Sequence, residues 1–210
     1  MDKVEVQPYK KSINESSFSS EQIAMIWDFY VTKSVAASAS QKRTPSDYGR
    51  KTLPWKEMCE CAGLTKENTK ILLANSINKT IEKMDLLTET GSAKDKKYIA
   101  IDVDTPKIYC LTPYTISDED PPKGKVGEAE SVLTHIRNAF AHGNTYFFDN
   151  KYLLLEDKEQ QKVTARIILA QQTLIDWISL IDKEQRYYII IPTPQSEDPD
   201  PSGEISEEDA

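Results

Sequence analysis

Apolar and polar positions along the chain alternate with two periods, and the change from one to the other marks out the elements. Residues 1 to 18 are polar and aperiodic and predict a flexible arm. The run Ser19-Ser20-Glu21-Gln22 then supplies a helix cap, and Ile23, Ile26, Trp27, Tyr30, Val31 and Ser34 recur at helical spacing to about Ala39. Pro45 and its polar neighbours break that pattern. A short helix follows from Pro54 to Ala62, with proline at its start and Gly63 at its close. Thr65 caps the next segment, in which Ile71, Ala74, Ile77, Ile81 and Met84 stand three or four apart and predict a long amphipathic helix ending near Leu86 and Leu87.

Strand period takes over at residues 97 to 103 and 107 to 111, joined by Asp104-Thr105-Pro106 and preceded by an exposed loop at 91 to 96. Two helices joined through Gly63-Leu64-Thr65 and followed by this hairpin have the pattern of a winged helix-turn-helix over residues 53 to 115. Lys94, Lys96 and Lys97 would then sit near its wing as candidate nucleic-acid contacts. The competing reading places the same helices in the main body, with the hairpin covering its end. A further helix runs from Glu128 to about Ala141. After it come a hairpin, with Tyr146 to Phe148 on one arm and Tyr152 to Leu155 on the other, and a β-branched run at 163 to 168. Leu174, Ile175, Trp177, Ile178, Leu180 and Ile181 make the last helix apolar on a broad face, as expected of a bundle helix. The expected organisation is a single α-rich domain at 19 to 191, with the acidic, proline-rich residues 192 to 210 as a disordered tail.

Composition narrows the function classes. Seven acids between residues 195 and 210, unaccompanied by Lys or Arg, account for all but one unit of the formal net charge of −8. The rest of the chain is near neutral, which argues against a bulk DNA binder and leaves room for a local basic site. Three cysteines, two of them a single residue apart, suit a reduced thiol inventory and give no Cys-x-x-Cys spacing; with only two histidines, no metal and no cofactor are expected. Neither a signal peptide nor a run of about 20 apolar residues is found, so a soluble cytoplasmic protein without membrane association is expected.

Both histidines fall on the helix at 128 to 141. Advancing about 100° per residue puts Ala129, Val132, Leu133, Ile136, Ala139 and Phe140 on one side. Ser131, His135, Asn138 and His142 follow one another on the other, at spacings of four, three and four. A solvated face is the plain reading of such a stripe. Two imidazoles around an Asn, where Gly143-Asn144 stops the helix, make a candidate site instead. Arg137 stands roughly 120° to 140° around the helix from His142, so the two are not neighbours on one face. To act together they need an unwound helix end, the long reach of the arginine, or a two-fold axis.

The segment Arg137-Asn138-Ala139-Phe140-Ala141-His142 resembles the signature of the HEPN superfamily: Arg, a polar residue, a short spacer and His at a helix end. The resemblance is clear over residues 124 to 186. It implies a mainly α fold, an antiparallel helical bundle with β-hairpin insertions, that dimerises so that two motifs face one cleft and cleave RNA without metal. It further implies Arg137, Asn138 and His142 as catalytic residues. Some toxin members carry a modifiable Tyr two residues after the His; position 144 here is Asn, so that mode of regulation is not carried over. His135 lies outside the motif and is expected to be exposed or auxiliary.

The chemistry suits these side chains independently. RNA brings its own nucleophile, the 2′-hydroxyl, and needs a base, an acid and positive charge on the phosphorane. His142 can exchange the proton and Arg137 can pair with phosphate oxygens, while Asn138 orients the imidazole or contacts the phosphate. The leading expectation is therefore a metal-independent endoribonuclease of toxin or antiviral-defence type. Its expected partners are RNA, a second copy of itself, and an antitoxin or other regulatory protein. The alternatives are a winged-helix DNA-binding regulator and a catalytically silent dimeric partner protein.

Overall fold

A computed structural model describes residues 6–74, 89–93, 96–100, 103–113, 127–160 and 162–187. The first helix, α1 (Ser20–Trp27), begins as its sequence indicates: the Ser19 side chain accepts from the Gln22 backbone N–H, and the Gln22 side chain accepts from the Ser19 N–H. It does not reach Ala39. Its axis widens over Asp28–Thr32, where Lys33 N–H closes a long turn on the Asp28 carbonyl at 2.7 Å, and the helix stops there. Helix α2 (Trp55–Ala62) starts after Pro54 and ends on Gly63, whose φ of 66° is the left-handed conformation glycine adopts without strain.

Strands make up most of what remains. In chain order they are β1 (Val6–Lys10), β2 (Thr69–Ala74), β3 (Glu89–Ala93), β4 (Lys96–Ala100), β5 (Lys107–Pro113), β6 (Thr145–Phe148), β7 (Tyr152–Glu159) and β8 (Lys162–Ala170). They form one sheet in the order β2-β5-β8-β7-β6-β1-β4-β3, in which β2 and β5 are parallel and the other neighbours antiparallel. Two longer helices complete the fold, α3 (Glu128–Ala141) and α4 (Gln171–Ile181).

The expected mainly α, HEPN-like helical bundle is therefore overturned: the chain is a mixed α/β protein built on a sheet. Three local differences produce the correction. The expected flexible arm contributes β1, which pairs with both β4 and β6. The expected helix after Thr65 is, over Thr69–Ala74, strand β2 on the free edge of β5. Its apolar run Ile71-Leu72-Leu73 satisfies either period, and a neighbouring edge with open backbone donors and acceptors decides in favour of the strand. The remainder of that expected helix, residues 75 to 87, lies outside the described residues, as do Lys94 and the acidic tail. The winged-helix pattern thereby loses the beginning of its second helix. Lys96 and Lys97 lie in β4, between β1 and β3, with Lys97 opposite Tyr9 and Ser92.

Helices lie on one face of the sheet. Trp177, Ile178 and Ile181 of α4, Met58 of α2, Ile26, Phe29 and Tyr30 from the α1 region, and Val132, Leu133, Ile136 and Ala139 of α3 pack with Ile108, Leu153, Leu155, Ala165, Ile167 and Leu169 in the main core. Polar tips within it are paired: Trp177 donates its indole N–H to the Met58 carbonyl at 2.9 Å, and Tyr30 its hydroxyl to the Leu174 carbonyl at 2.8 Å. A smaller core of Tyr9, Ile99, Val103, Phe148, Leu154 and Ile168 occupies part of the opposite face. Along β7 and β8 the side chains alternate strictly between the two cores, as a two-residue period requires.

Candidate functional site

Helix α3 carries the whole motif, and its two ends are set by the sequence. Glu128 and Glu130 in the first turn complement the exposed N–H groups there. At the other end His142 caps the helix; Gly143 N–H bonds the Phe140 carbonyl at 3.1 Å and Asn144 N–H the Ala139 carbonyl at 2.8 Å, with Gly143 at φ 67°. This is the paired closing turn of a Schellman motif, so the helix keeps its regular winding through Ala141. Unwinding at His142, one of the three ways to bring Arg137 and His142 together, does not occur.

The polar stripe is not a solvated face. Ser131 and His135 are buried, because α3 is packed on both its apolar side and the side that lies over β5 and β7. Thr112 of β5 bonds the Ser131 hydroxyl at 3.0 Å. The His135 ring is held at both nitrogens: Nδ1 lies 2.7 Å from Asp157 Oδ2 of β7, and Nε2 2.7 Å from the Leu111 carbonyl of β5. A carbonyl only accepts, so Nε2 carries a proton. The contact at Nδ1 needs a second one, on the imidazole or on the carboxyl. Burial pushes the Asp157 carboxyl up, but hydrogen bonds from His135 and Asn138 together with the charge of His135 outweigh it, and the carboxyl is held below its ordinary range. The strands β5 and β7 thus hold His135 and Asp157 as a buried hydrogen-bonded pair.

Asn138 extends the chain of contacts, donating from Nδ2 to the same Asp157 oxygen at 3.0 Å. Its Oδ1 in turn accepts from Arg137 at 3.2 Å and from the Ser38 hydroxyl at 3.4 Å. Arg137 also donates to the Ser38 carbonyl at 2.8 Å, while its Nε is buried with no hydrogen-bond partner among the described residues. The network thus runs from the loop after α1, through two motif residues of α3, to β7 and β5. His142 stands apart: it is exposed at the helix end, with no side-chain partner among the described residues. The structure joins Arg137, Asn138 and His135 into one network and leaves His142 beside it. His135 is buried rather than exposed.

Asp157, the hub of this network, escapes a reading confined to α3. The signal for it lies in β7, where an acid follows Leu153 and Leu155 at the inward-facing positions of the strand. The Ser38 carbonyl leaves no trace in the sequence. Burial disfavours thiol chemistry: it pushes buried Cys110 up to about 12 and half-buried Cys59 up to about 11, so neither supplies a thiolate near neutral pH. Among the described residues no group of three or more His, Cys, Asp and Glu is arranged to hold a metal ion, and no helix is long and apolar enough to cross a membrane. Comparison with protein-family models, with curated proteins and with solved structures finds no match to the chain.

Proposed function

We propose that the chain is a metal-independent endoribonuclease of the cytoplasm that acts through His142. The observation that carries this reading is the position of that imidazole: exposed, without a side-chain partner among the described residues, and fixed at a rigid helix end one turn beyond the Arg137-Asn138-Asp157-His135 network. An acid–base catalyst for RNA cleavage needs an accessible imidazole and a backbone that does not move during proton transfer. One helix end supplies one such ring. Cleavage by the 2′-hydroxyl needs both a base and an acid, so two copies of the chain related by a two-fold axis divide the roles. In each copy the guanidinium of Arg137, tied by two of its donors to Ser38 and Asn138, keeps further N–H groups for a phosphate oxygen.

The test is incubation of labelled single-stranded RNA with wild type and His142→Ala in EDTA. Cleavage by wild type alone, with 2′,3′-cyclic phosphate ends and no attack on DNA of the same sequence, is the expected result. Dependence on an added divalent ion, or equal activity in the variant, would refute it. A second reading, a silent dimeric partner protein, is favoured by the engagement of Arg137 and Asn138 in ties to Ser38 and Asp157. It predicts a dimer with no cleavage in the same assay.

A further inference from the structure

Two large apolar side chains stand exposed among the described residues, Leu72 at the sheet edge and Trp27 at the end of α1. Trp27, 45% exposed, belongs to a groove of about 490 Å³. Ser20, Ile23, Ala24, Trp27 and Asp28 line it at spacings of three, one, three and one, which make one face of a helix. Met25, Ile26 and Phe29 turn the other way into the main core. From Ser20 to Asp28 the groove follows the helix for eight residues, a rise of about 12 Å.

The lining limits what fits there. Its one carboxylate, Asp28, is already met by Lys33 Nζ at 2.7 Å and by the Tyr187 hydroxyl at 3.0 Å, and no Lys or Arg among the described residues lines the groove. What is left is apolar surface with hydroxyl and amide groups beside it, a setting for an uncharged apolar chain rather than for an ion. Tyr187 is also the last residue described. Its backbone N–H bonds the Asp182 carboxylate at 2.9 Å, and its ring packs edge-on against Phe29 with centroids 5.4 Å apart. The described chain therefore ends tied to the Asp28 end of the groove. The next residues, Tyr188-Ile189-Ile190-Ile191-Pro192, are apolar, and no charged residue follows until Glu197.

We propose that the occupant of this groove is the chain's own apolar run, residues 188 to 191, laid along α1 and covering Trp27. Length agrees: four extended residues span about 13 Å at roughly 3.3 Å each, which matches the rise from Asp28 to Ser20. Position agrees as well, because a segment that begins at the lip of a groove gives up less freedom in entering it than one closing a long loop. Burial of the isoleucines supplies the driving force. On this course the seven acids between residues 195 and 210 leave the body near Ser20. The loop whose Ser38 carbonyl holds Arg137 lies toward the other end, where Gln41 N–H bonds the Thr32 carbonyl. Docking thus leads the acidic stretch away from the Arg137 guanidinium.

The experiment is fluorine NMR of the full chain labelled with 5-fluorotryptophan, whose three resonances are assigned by replacing each tryptophan in turn with phenylalanine. Each isoleucine lost from a buried position should lower the ratio of docked to undocked chain by about 10- to 150-fold. The triple variant Ile189→Ser, Ile190→Ser and Ile191→Ser should therefore move the Trp27 resonance to a solvent-exposed position and leave Trp177, in the main core, where it was. Alternate side chains of an extended segment face one way, so either Ile190→Ser or the pair Ile189→Ser with Ile191→Ser should reproduce the shift, and these milder variants serve if the triple one disturbs Trp177. Thermal unfolding gives a second reading: Trp27→Ala combined with the serine variant should lower Tm no further than the larger of the two alone. A Trp27 resonance unmoved by all the serine variants would overturn the proposal, as would additive losses of Tm. So would a Trp27 resonance that changes with protein concentration, which would make a second copy the occupant.

Discussion

Replacing Asp157 by alanine probes the network at its hub. The carboxylate accepts from His135 at 2.7 Å and Asn138 at 3.0 Å, and the side chains of Asp157 and His135 are only 7% and 9% exposed. Asp157→Ala leaves the His135 ring nitrogen and the Asn138 amide N–H facing an apolar methyl group in a space closed to bulk water. Removing one partner of a buried pair costs about 3–5 kcal/mol. In a chain of 150–250 residues each kcal/mol is about 2–4 °C of melting temperature, so Tm should fall by roughly 6–20 °C. Asp157→Asn keeps the volume and one acceptor and should lose about half as much.

Thermal unfolding followed by circular dichroism at neutral pH reads both numbers, and titration checks their origin. The Asp157 carboxyl is lower in the folded state than its unfolded value near 3.9. The stability it contributes is therefore present above that value and is lost as pH falls through the folded one. The gap between wild type and Asp157→Ala should begin to narrow below about pH 4 and close once the pH is below the folded value. A fall in Tm of less than about 3 °C, or a gap that persists in acid, would refute the buried pairing of Asp157 with His135 and Asn138.

Other expectations follow from the same geometry. His142→Ala should leave Tm within about 1 °C of wild type, because the ring has no partner to lose among the described residues; a larger drop would show a hidden structural role. Arg137→Ala should cost about 1–3 kcal/mol in urea unfolding through the Ser38 carbonyl and Asn138, and Arg137→Lys should recover only part, since a single ammonium replaces a fork. Gly143→Ala should cost about 1–2 kcal/mol for a side chain at φ 67°, all of it from the local backbone because nothing beyond the neighbouring residues lies within 4 Å of the added carbon; a neutral result would contradict the left-handed closing turn of α3.

Elements with local signals were legible in the sequence. The Ser19–Gln22 capping box, Pro54 and Gly63 around α2, and the bounds of α3 all rest on residues within one turn of the feature they create. The strands β5, β6, β7 and β8 were visible as runs of β-forming residues. Elements decided by a distant partner were not. Strand β1 is polar and becomes a strand because β4 and β6 lie on either side of it, and β2 owes its state to the edge of β5, which lies more than thirty residues away in sequence. The burial of His135 is the same kind of event. Its helical position predicts a polar face, and only the arrival of Asp157 and the Leu111 carbonyl from two strands makes that face an interior one.

The regular closure of α3 also constrains how the motif can work. An intact helix keeps Arg137 and His142 on different sides, and Arg137 is turned toward Ser38 and Asn138. Within one copy the guanidinium is held by the buried network while the imidazole faces solvent. On the proposed ribonuclease reading, a single phosphate would be served by both across a two-fold axis that sets the helix ends of two copies against one another, each Arg137 offering its remaining donors to a substrate beside the partner copy's imidazole. The network then has a purpose that neither the arginine nor the histidine explains alone. By tying α3 to the loop at Ser38 and to β5 and β7, it fixes the direction of the helix end on which His142 rides, and the proposed pairing of two such ends would depend on that direction being the same in every copy.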